Sequence, residues 1–285
     1  MDKMIIFGAF EFLGFHLSGK FLEKGFEVNG VHVSTNDSTL LEEKRMEIGR
    51  NANFREQTFA EWKDQDGGGQ EPAAIVIPFY DWYMDFNEGI LEQEAINQPI
   101  LQYMQAGRNK GSKVIFLLPM QFLEESGGSA EYQNIKAFIE KAKQTADICQ
   151  SFYLPTLYGP WQPPSFLFQR TMLKRLNEND GPTGSMLREW DLDAIFIEDA
   201  LDSLTEKMEE NKGGEFLLES GVQDSWTKCA AVLKIDQYRR SRGSKHKLPD
   251  PGQMERLVLP KCTPADKALA VQWQHLFRIN GGQID

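Results

Sequence analysis

The 285-residue sequence predicts an α/β fold in which a parallel β-sheet carries helices on both faces. Short runs rich in Val, Ile and Phe alternate with helical stretches along the first half of the chain. These runs are apolar throughout, which is typical of strands buried on both faces. Strands that alternate with helices favour right-handed βαβ units, and therefore a parallel sheet.

Each element of the first half has its own signal. The predicted strands are Met4–Phe7, Glu27–Val33, Asn53–Phe59, Ala73–Ile77, Lys113–Leu118 and Ser151–Leu154. Apolar residues that recur every three or four positions predict two of the intervening helices. The first carries Leu13, Leu17 and Phe21 and ends at Gly25, and the second runs from Tyr132 to Thr145.

The second half is predicted to form a smaller lobe, residues 161–285, beside a core of residues 1–160, with some segments returning to that core. A proline-rich stretch marks the change at Pro155, Pro160, Pro163 and Pro164. Loops of this kind build ligand sites beyond the carboxyl edge of a sheet. Regular structure then resumes with strands Ala194–Ile197 and Glu215–Leu218, a helix capped by Glu198 and Asp199, and helices Trp226–Ile235 and Pro264–Phe277.

Composition excludes several classes of function. The net charge of −11 argues against nucleic-acid binding. No apolar run approaches the ~20 residues of a membrane span, and a strand that starts by Met4 leaves no room for a secretory signal. The three cysteines show no paired spacing, so we expect neither a disulfide framework nor a thiolate zinc site. His246 and His275 have no ligand spacing around them, so we expect no other metal site. The expected location is the cytoplasm.

Gly8 and Gly14 bracket a turn between the first strand and the first helix. Such a turn can hold a dinucleotide pyrophosphate on the helix N-terminus, where a middle glycine lets the phosphate approach the backbone. Glu11 stands at that middle position. Its carboxylate occupies space and adds negative charge, although it also complements the helix dipole of an empty site.

The end of the second strand is where an acid would bind the ribose of NAD. His32 stands there instead. Ser34, Thr35 or a nearby base such as Lys44 or Arg45 could accept a 2′-phosphate, which slightly favours NADP over NAD. The alternative is that His32 simply ends a strand.

Tyr132 and Lys136 lie four residues apart, on one face of a helix. A lysine ammonium beside a tyrosine lowers the pKa of the phenol, which suits a general acid/base. A Tyr and a Lys at this spacing also occur often by chance in helices, so the spacing alone is weak evidence for a catalytic pair.

The order of the motifs MIIFGAFEFLG, EVNGVHV, KVIFLLP, YQNIK and YLPTLYGPWQP resembles the extended short-chain dehydrogenase/reductase family, over roughly residues 3 to 235. This family includes nucleotide-sugar epimerases and dehydratases. The resemblance implies a Rossmann-like core with a small C-terminal substrate lobe and an NAD(P)-dependent reaction on a small carbonyl or sugar-like substrate. It also implies a homodimer formed through helices Asn97–Asn109 and Tyr132–Thr145.

The resemblance assigns roles to individual residues. Tyr132 would transfer the proton, and Lys136 would hold the nicotinamide ribose. The implied cofactor-binding residues are Gly8, Phe10, Glu11, Phe12, Leu13, Gly14, His32, Ser34, Pro78, Phe79, Lys136 and Leu154. The implied substrate-binding residues are Pro119, Gln121 and Trp161.

The chain also departs from the family pattern. Pro119 stands where the family has a hydroxyl residue that binds the reacting oxygen, and the bulky run 78–83 replaces small residues after the fourth strand. Together with Glu11 and His32, these departures leave two hypotheses open. The first is an NAD(P)-dependent oxidoreductase or epimerase. The second is a catalytically silent relative that serves as a binding or regulatory protein with weak or no cofactor binding.

Overall fold

The computed structural model describes residues 2–33, 39–65, 73–87, 89–90, 94–124, 130–176, 188–235, 252 and 254–281. Its centre is an eight-stranded sheet with the strand order β10-β9-β6-β5-β4-β1-β2-β3. All neighbouring strands run parallel. The strand order reverses between β1 and β4, so the topological switch point lies between these two strands.

The bounds of the elements follow. The strands are β1 (Lys3–Phe7), β2 (Glu27–His32), β3 (Phe54–Thr58), β4 (Ala74–Ile77), β5 (Lys113–Pro119), β6 (Ile148–Leu154), β7 (Thr156–Tyr158), β8 (Ala194–Phe196), β9 (Gly214–Glu219) and β10 (Glu255–Val258). The helices are α1 (Phe12–Glu23), α2 (Thr39–Ile48), α3 (Phe59–Gln65), α4 (Phe79–Met84), α5 (Glu94–Ala106), α6 (Ala130–Thr145), α7 (Leu167–Leu176), α8 (Ile197–Glu209), α9 (Ser225–Val232) and α10 (Ala265–Ile279). A 3-10 helix spans Met120–Leu123, and β7 pairs with β8 outside the main sheet.

The sheet is buried on both faces, as its apolar strands require. In β1, Met4 and Ile6 enter one hydrophobic cluster, whereas Ile5 and Phe7 enter another on the opposite face. Residues from α1, α7, α8, α9 and α10 belong to the first cluster, and residues from α5 and α6 belong to the second. The predicted doubly wound sheet with helices on both faces is thereby confirmed.

The predicted strands of the first half agree with the structure to within three residues at either end. The structure also contains β7, β10, α2, α3, α4 and α7, whose bounds were not predicted from the sequence. β9 and β10 join the main sheet, so part of the second half extends it. The predicted cap of α8 is wrong: no side chain caps this helix, and the Asp199 carboxylate instead accepts hydrogen bonds from Thr263.

The short helix α4 begins directly after β4 and lies against the carboxyl ends of the central strands. Phe79, Tyr80 and Trp82 are almost completely buried. The Tyr80 hydroxyl accepts a hydrogen bond from the Leu157 amide at 2.8 Å, which ties α4 to β7. Burial of this kind explains the bulky run 78–83, whose aromatic rings fill the switch-point region from within.

No helix in the described part of the chain has both the length and the apolar character needed to cross a bilayer.

Gly14 allows α1 to start immediately beside β1. A methyl group on Gly14 would lie 2.1 Å from the carbonyl oxygen of Gly8, far inside van der Waals contact. Gly8 itself has a φ of +63°, a conformation that glycine adopts without strain. The two glycines therefore fix the geometry of the turn.

We expect Gly14→Ala to destabilise the fold by about 3 kcal/mol, because neither the turn nor the helix can move aside without disturbing the core. Gly19→Ala is the matched control on the same helix, where nothing lies within 4 Å of the added methyl group. This variant should gain about 0.5–1 kcal/mol from helix propensity. Urea unfolding of both variants tests the account, and equal effects would contradict the close approach at Gly14.

Candidate functional site

The turn between β1 and α1 is built on backbone hydrogen bonds. The Gly8 amide donates to the Val31 carbonyl at 2.8 Å, and the Glu11 amide donates to the Gly8 carbonyl at 2.8 Å. The first amides of α1 then point toward the crevice between β1 and β4. A helix N-terminus leaves such N–H groups without intrahelical partners, and they need acceptors from elsewhere.

The side chain of Asp81, on α4, supplies these acceptors. The Leu13 amide donates to both carboxyl oxygens at 3.0 Å, and the Gly14 amide donates to Oδ2 at 3.0 Å. Asp81 is only 2% exposed. The carboxyl group of Asp81 therefore occupies the anion-binding end of α1 at the topological switch point.

Burial dominates the protonation of Asp81. It raises the pKa of this carboxyl group from 3.8 to about 8, while the Leu13 and Gly14 amides act in the opposite direction. Burial also raises the pKa of Glu11 and of Asp85, and the pKa of Glu11 rises further because Asp85 is near. Three acidic groups thus share the space around the start of α1.

Lys44, on α2, is the cation of this region. Burial lowers the pKa of its ammonium, and the nearby carboxylates of Glu11, Asp81 and Asp85 act against that shift. Its Nζ donates to the Phe10 carbonyl at 2.6 Å and lies 5.6 Å from the ring centroid of Trp161. The lysine is 8% exposed, and its side chain is part of the wall of the site.

His32 and Phe10 form a stack at the end of β2. Their ring centroids are 4.8 Å apart with an interplanar angle of 19°. His32 Nε2 lies 2.6 Å from Glu56 Oε1, and Glu56 also accepts hydrogen bonds from Arg45. Of the groups considered for a 2′-phosphate, Arg45 is paired with Glu56 and Glu42, and Lys44 is buried against Phe10.

A cavity of about 760 Å³ opens at the carboxyl ends of β1 and β2. Its volume is in the range of small-molecule sites. Among the predicted site residues, Gly8, Phe10, Glu11, His32 and Trp161 line it. Residues from α2, α7 and α10 complete the wall, including Lys44, Leu173 and Ile279.

The structure places the other predicted residues as follows. Phe12, Leu13 and Phe79 are buried in the core, Pro78 precedes α4, and Leu154 ends β6. Pro119 ends β5, and the Gln121 side chain in the 3-10 helix donates to the carbonyl of Arg188. Ser34 lies outside the described residues.

The predicted catalytic pair lies on α6. The backbones of Tyr132 and Lys136 occupy this helix as expected, and the Lys136 side chain is exposed. Lys136 does not line the cavity that Glu11 and Trp161 share. The roles of both residues stay predictions.

Sequence reasoning missed Asp81 and the central position of Lys44. A buried helix start with no capping side chain of its own was the signal for Asp81, because its amides need an acceptor. No cluster of His, Cys, Asp or Glu suited to a metal ion occurs in the part of the chain that the structure describes.

Three solved structures with the same fold carry NAD in their descriptions, either as a dependence or as a bound ligand. The NAD-dependent NDP-hexosamine 5,6-dehydratase TunA superposes with a TM-score of 0.68 at 14% identity, over 98% of each chain. The enzyme WbmH of Bordetella bronchiseptica, in complex with NAD+, has a TM-score of 0.66 at 15% identity, over 99% of each chain. UDP-glucuronic acid 4-epimerase from Bacillus cereus, in complex with NAD, has a TM-score of 0.63 at 16% identity, over 99% of this chain and 98% of the epimerase.

No protein-family model and no curated protein sequence matches the chain. At 14–16% identity, the structural likeness establishes the fold. The predicted resemblance to extended short-chain dehydrogenases/reductases is therefore confirmed at the level of the Rossmann-like architecture.

The raised pKa of Asp81 predicts a specific pH dependence. Between pH 3.8 and about 8, the folded state holds a proton on Asp81 that the unfolded state has released. The contribution of this group to stability is therefore fully present below pH 3.8 and is lost as the pH rises toward 8. Relative to Asp81→Asn, which does not titrate, the wild type should lose more than about 1.4 kcal/mol of unfolding free energy across this range.

Urea unfolding of both proteins across this pH range measures the difference. Glu11, Asp85 and Lys44 are present in both proteins, so their own titration largely cancels. A constant difference between the two proteins would contradict the raised pKa of Asp81.

Proposed function

We propose that this chain is a catalytically silent binding or regulatory protein that uses a dinucleotide-binding scaffold without the dinucleotide. The single observation that supports this function is the hydrogen bonding of the Asp81 carboxyl group to the amides of Leu13 and Gly14. These amides belong to the helix start on which the pyrophosphate of a dinucleotide would lie in such folds.

A pyrophosphate does not fit this helix start. To reach the amides it would have to displace a buried side chain from α4, and α4 is held in place by the Tyr80–Leu157 hydrogen bond. It would also meet Glu11, whose Cγ would lie 3.0 Å from a methyl group on Gly8 and therefore occupies the mouth of the turn. This steric argument holds whether or not Asp81 is ionised.

The ribose of a dinucleotide would also find few polar partners at the end of β2. The stack of Phe10 on His32 and the pairing of Glu56 with Arg45 already use the groups at the end of β2. A dinucleotide would have to break these contacts to find polar partners there. Both ends of the dinucleotide site are thus occupied by the protein's own side chains.

The second candidate function is an NAD(P)-dependent oxidoreductase or epimerase on a small carbonyl or sugar-like substrate. It is favoured by the position of Tyr132 and Lys136, one helical turn apart on α6, and by a fold shared with NAD-dependent sugar-nucleotide enzymes. In this mechanism Tyr132 would transfer the proton and Lys136 would hold the nicotinamide ribose.

A thermal-shift titration with NADH and NADPH separates the two candidates. For a silent protein we expect no shift at millimolar concentration of either compound. A ligand present at 100 times its dissociation constant would add about 2.7 kcal/mol of stability, which is easily detected. Saturable stabilisation of the wild type by either compound would overturn the proposed function.

The double variant Glu11→Gly/Asp81→Asn is the matched comparison. It clears the mouth of the turn and removes both carboxyl groups from the helix start. We expect it to gain measurable affinity for NADH, and a single Glu11→Gly variant to gain less because Asp81 still holds the amides. Tight binding to wild type with no change in the variants would contradict our placement of the pyrophosphate.

If any reduction or epimerisation of a sugar nucleotide is detected, Tyr132→Phe tests the second candidate. Loss of a positioned general acid/base costs typically about 10²–10⁴ in rate. Undiminished turnover in this variant would remove Tyr132 from the mechanism.

A further inference from the structure

The cavity at the carboxyl ends of β1 and β2 carries charges of both signs. Glu11 and Asp85 contribute two carboxyl groups, and Lys44 contributes the ammonium. Such a pattern differs from an anion site, in which positive groups and amides dominate. A ligand for this cavity should therefore carry both a positive and a negative group.

Lys44 has unused hydrogen-bonding capacity. An ammonium has three N–H donors. Within the described part of the chain, the Phe10 carbonyl is its one hydrogen-bond acceptor. The remaining donors belong to a side chain that is 8% exposed and lines the cavity. A carboxylate on a ligand would be a suitable partner for them.

The carboxyl groups of Glu11 and Asp85 also have unused hydrogen-bonding capacity. No group among the described residues donates a hydrogen bond to the Glu11 side chain. Asp85 accepts one, from Ser165 Oγ to Oδ1 at 2.6 Å, which leaves Oδ2 without a donor in the same part of the chain. Carboxyl oxygens without a donor in a partly buried wall favour a hydrogen-bond donor, and most strongly one with a positive charge.

The rest of the wall mixes apolar side chains with the polar residues His32, Asn87, Gln162, Gln169 and Asn280. Phe10, Leu41, Trp161, Leu173, Leu276 and Ile279 line the cavity. Trp161 is held there by contacts with His275, at 4.3 Å between ring centroids, and with Phe15, at 5.7 Å. A ligand body of aromatic or branched aliphatic character would bury its surface against these side chains.

We propose that this cavity binds a small zwitterion with an apolar body, of the size of an amino acid or a dipeptide. Its ammonium would contact Glu11 and Asp85, its carboxylate would contact Lys44, and its side chain would pack on Trp161. This inference rests on the proposed function, because a dinucleotide would compete for the same cavity.

A matched set of ligands tests the charge requirement. Phenylalanine, tryptophan and leucine are the zwitterions. Phenethylamine, tryptamine and isoamylamine lack the carboxylate, whereas hydrocinnamate, indolepropionate and isocaproate lack the ammonium. We expect at least one zwitterion to bind by calorimetry, at least about tenfold more tightly than both of its singly charged analogues.

Two outcomes would overturn the proposal: no binding by any of the three zwitterions, or equal binding by a zwitterion and one of its analogues. NADH in a parallel titration keeps the two proposals apart. Zwitterion binding can fail while NADH also fails to bind, which would overturn the ligand class alone. NADH binding would overturn the proposed function as well.

Variants locate the site. Lys44→Met should weaken the bound zwitterion at least about tenfold and bring its affinity to that of the amine analogue, because the partner of the carboxylate is gone. Glu11→Gln should also weaken binding of the zwitterion, and should bring its affinity toward that of the acid analogue, because a partner of the ammonium is gone. Lys20→Met, on the neighbouring helix α1, is the control, since Lys20 pairs with Asp202 outside this cavity and should leave binding unchanged.

Lys44→Arg keeps the positive charge and tests whether misfolding, and not the loss of charge, explains the weaker binding of Lys44→Met. We expect it to retain more affinity than Lys44→Met at equal thermal stability. Equal loss in both variants, with the fold intact, would contradict a charge contact at Lys44.

Discussion

The contact between Asp81 and the start of α1 is the interaction on which the rest of the site depends. A tight βα turn places unpaired amides at the switch point of a doubly wound sheet, and these amides must find acceptors. In enzymes of this architecture that bind dinucleotides, a phosphate can supply them. Here the Asp81 carboxyl group, on α4, accepts the hydrogen bonds that the Leu13 and Gly14 amides donate.

Several other features follow from this contact. α4 has to begin directly after β4 so that Asp81 can reach α1, and this brings the aromatic residues Phe79, Tyr80 and Trp82 into the crevice. Asp85 follows Asp81 by one helical turn, and its side chain lines the cavity. Lys44 on α2 then supplies the one positive charge among these groups. Asp85 and Lys44 therefore line the cavity together with Glu11.

Much of the fold could be predicted because it depends on local patterns. The strands of the first half are short apolar runs, and Gly8 and Gly14 mark the first turn without reference to anything distant. The position of Tyr132 and Lys136 on one helix also follows from spacing alone. By contrast, β10 is a mostly exposed strand of four residues, and it could not be predicted because it contains no apolar run.

The content of the site could be predicted only in part. Glu11 and His32 were recognisable as departures because each lies at a position with a known task in dinucleotide binding. Asp81 was not, because its partner Leu13 is 68 residues away and only the tertiary fold brings them together. The run 78–83 is recognisable in the sequence only as a bulky replacement of small residues. No local pattern shows that Asp81 within it accepts hydrogen bonds from the start of α1.

Amide resonances measured by NMR test the central claim most directly. If Asp81 holds the start of α1, the Leu13 and Gly14 amide shifts of the wild type should follow the titration of a group with a pKa near 8. The same resonances should stay unmoved when NADH is added at millimolar concentration. Saturable movement of both amides with NADH, and no response to pH, would contradict the account.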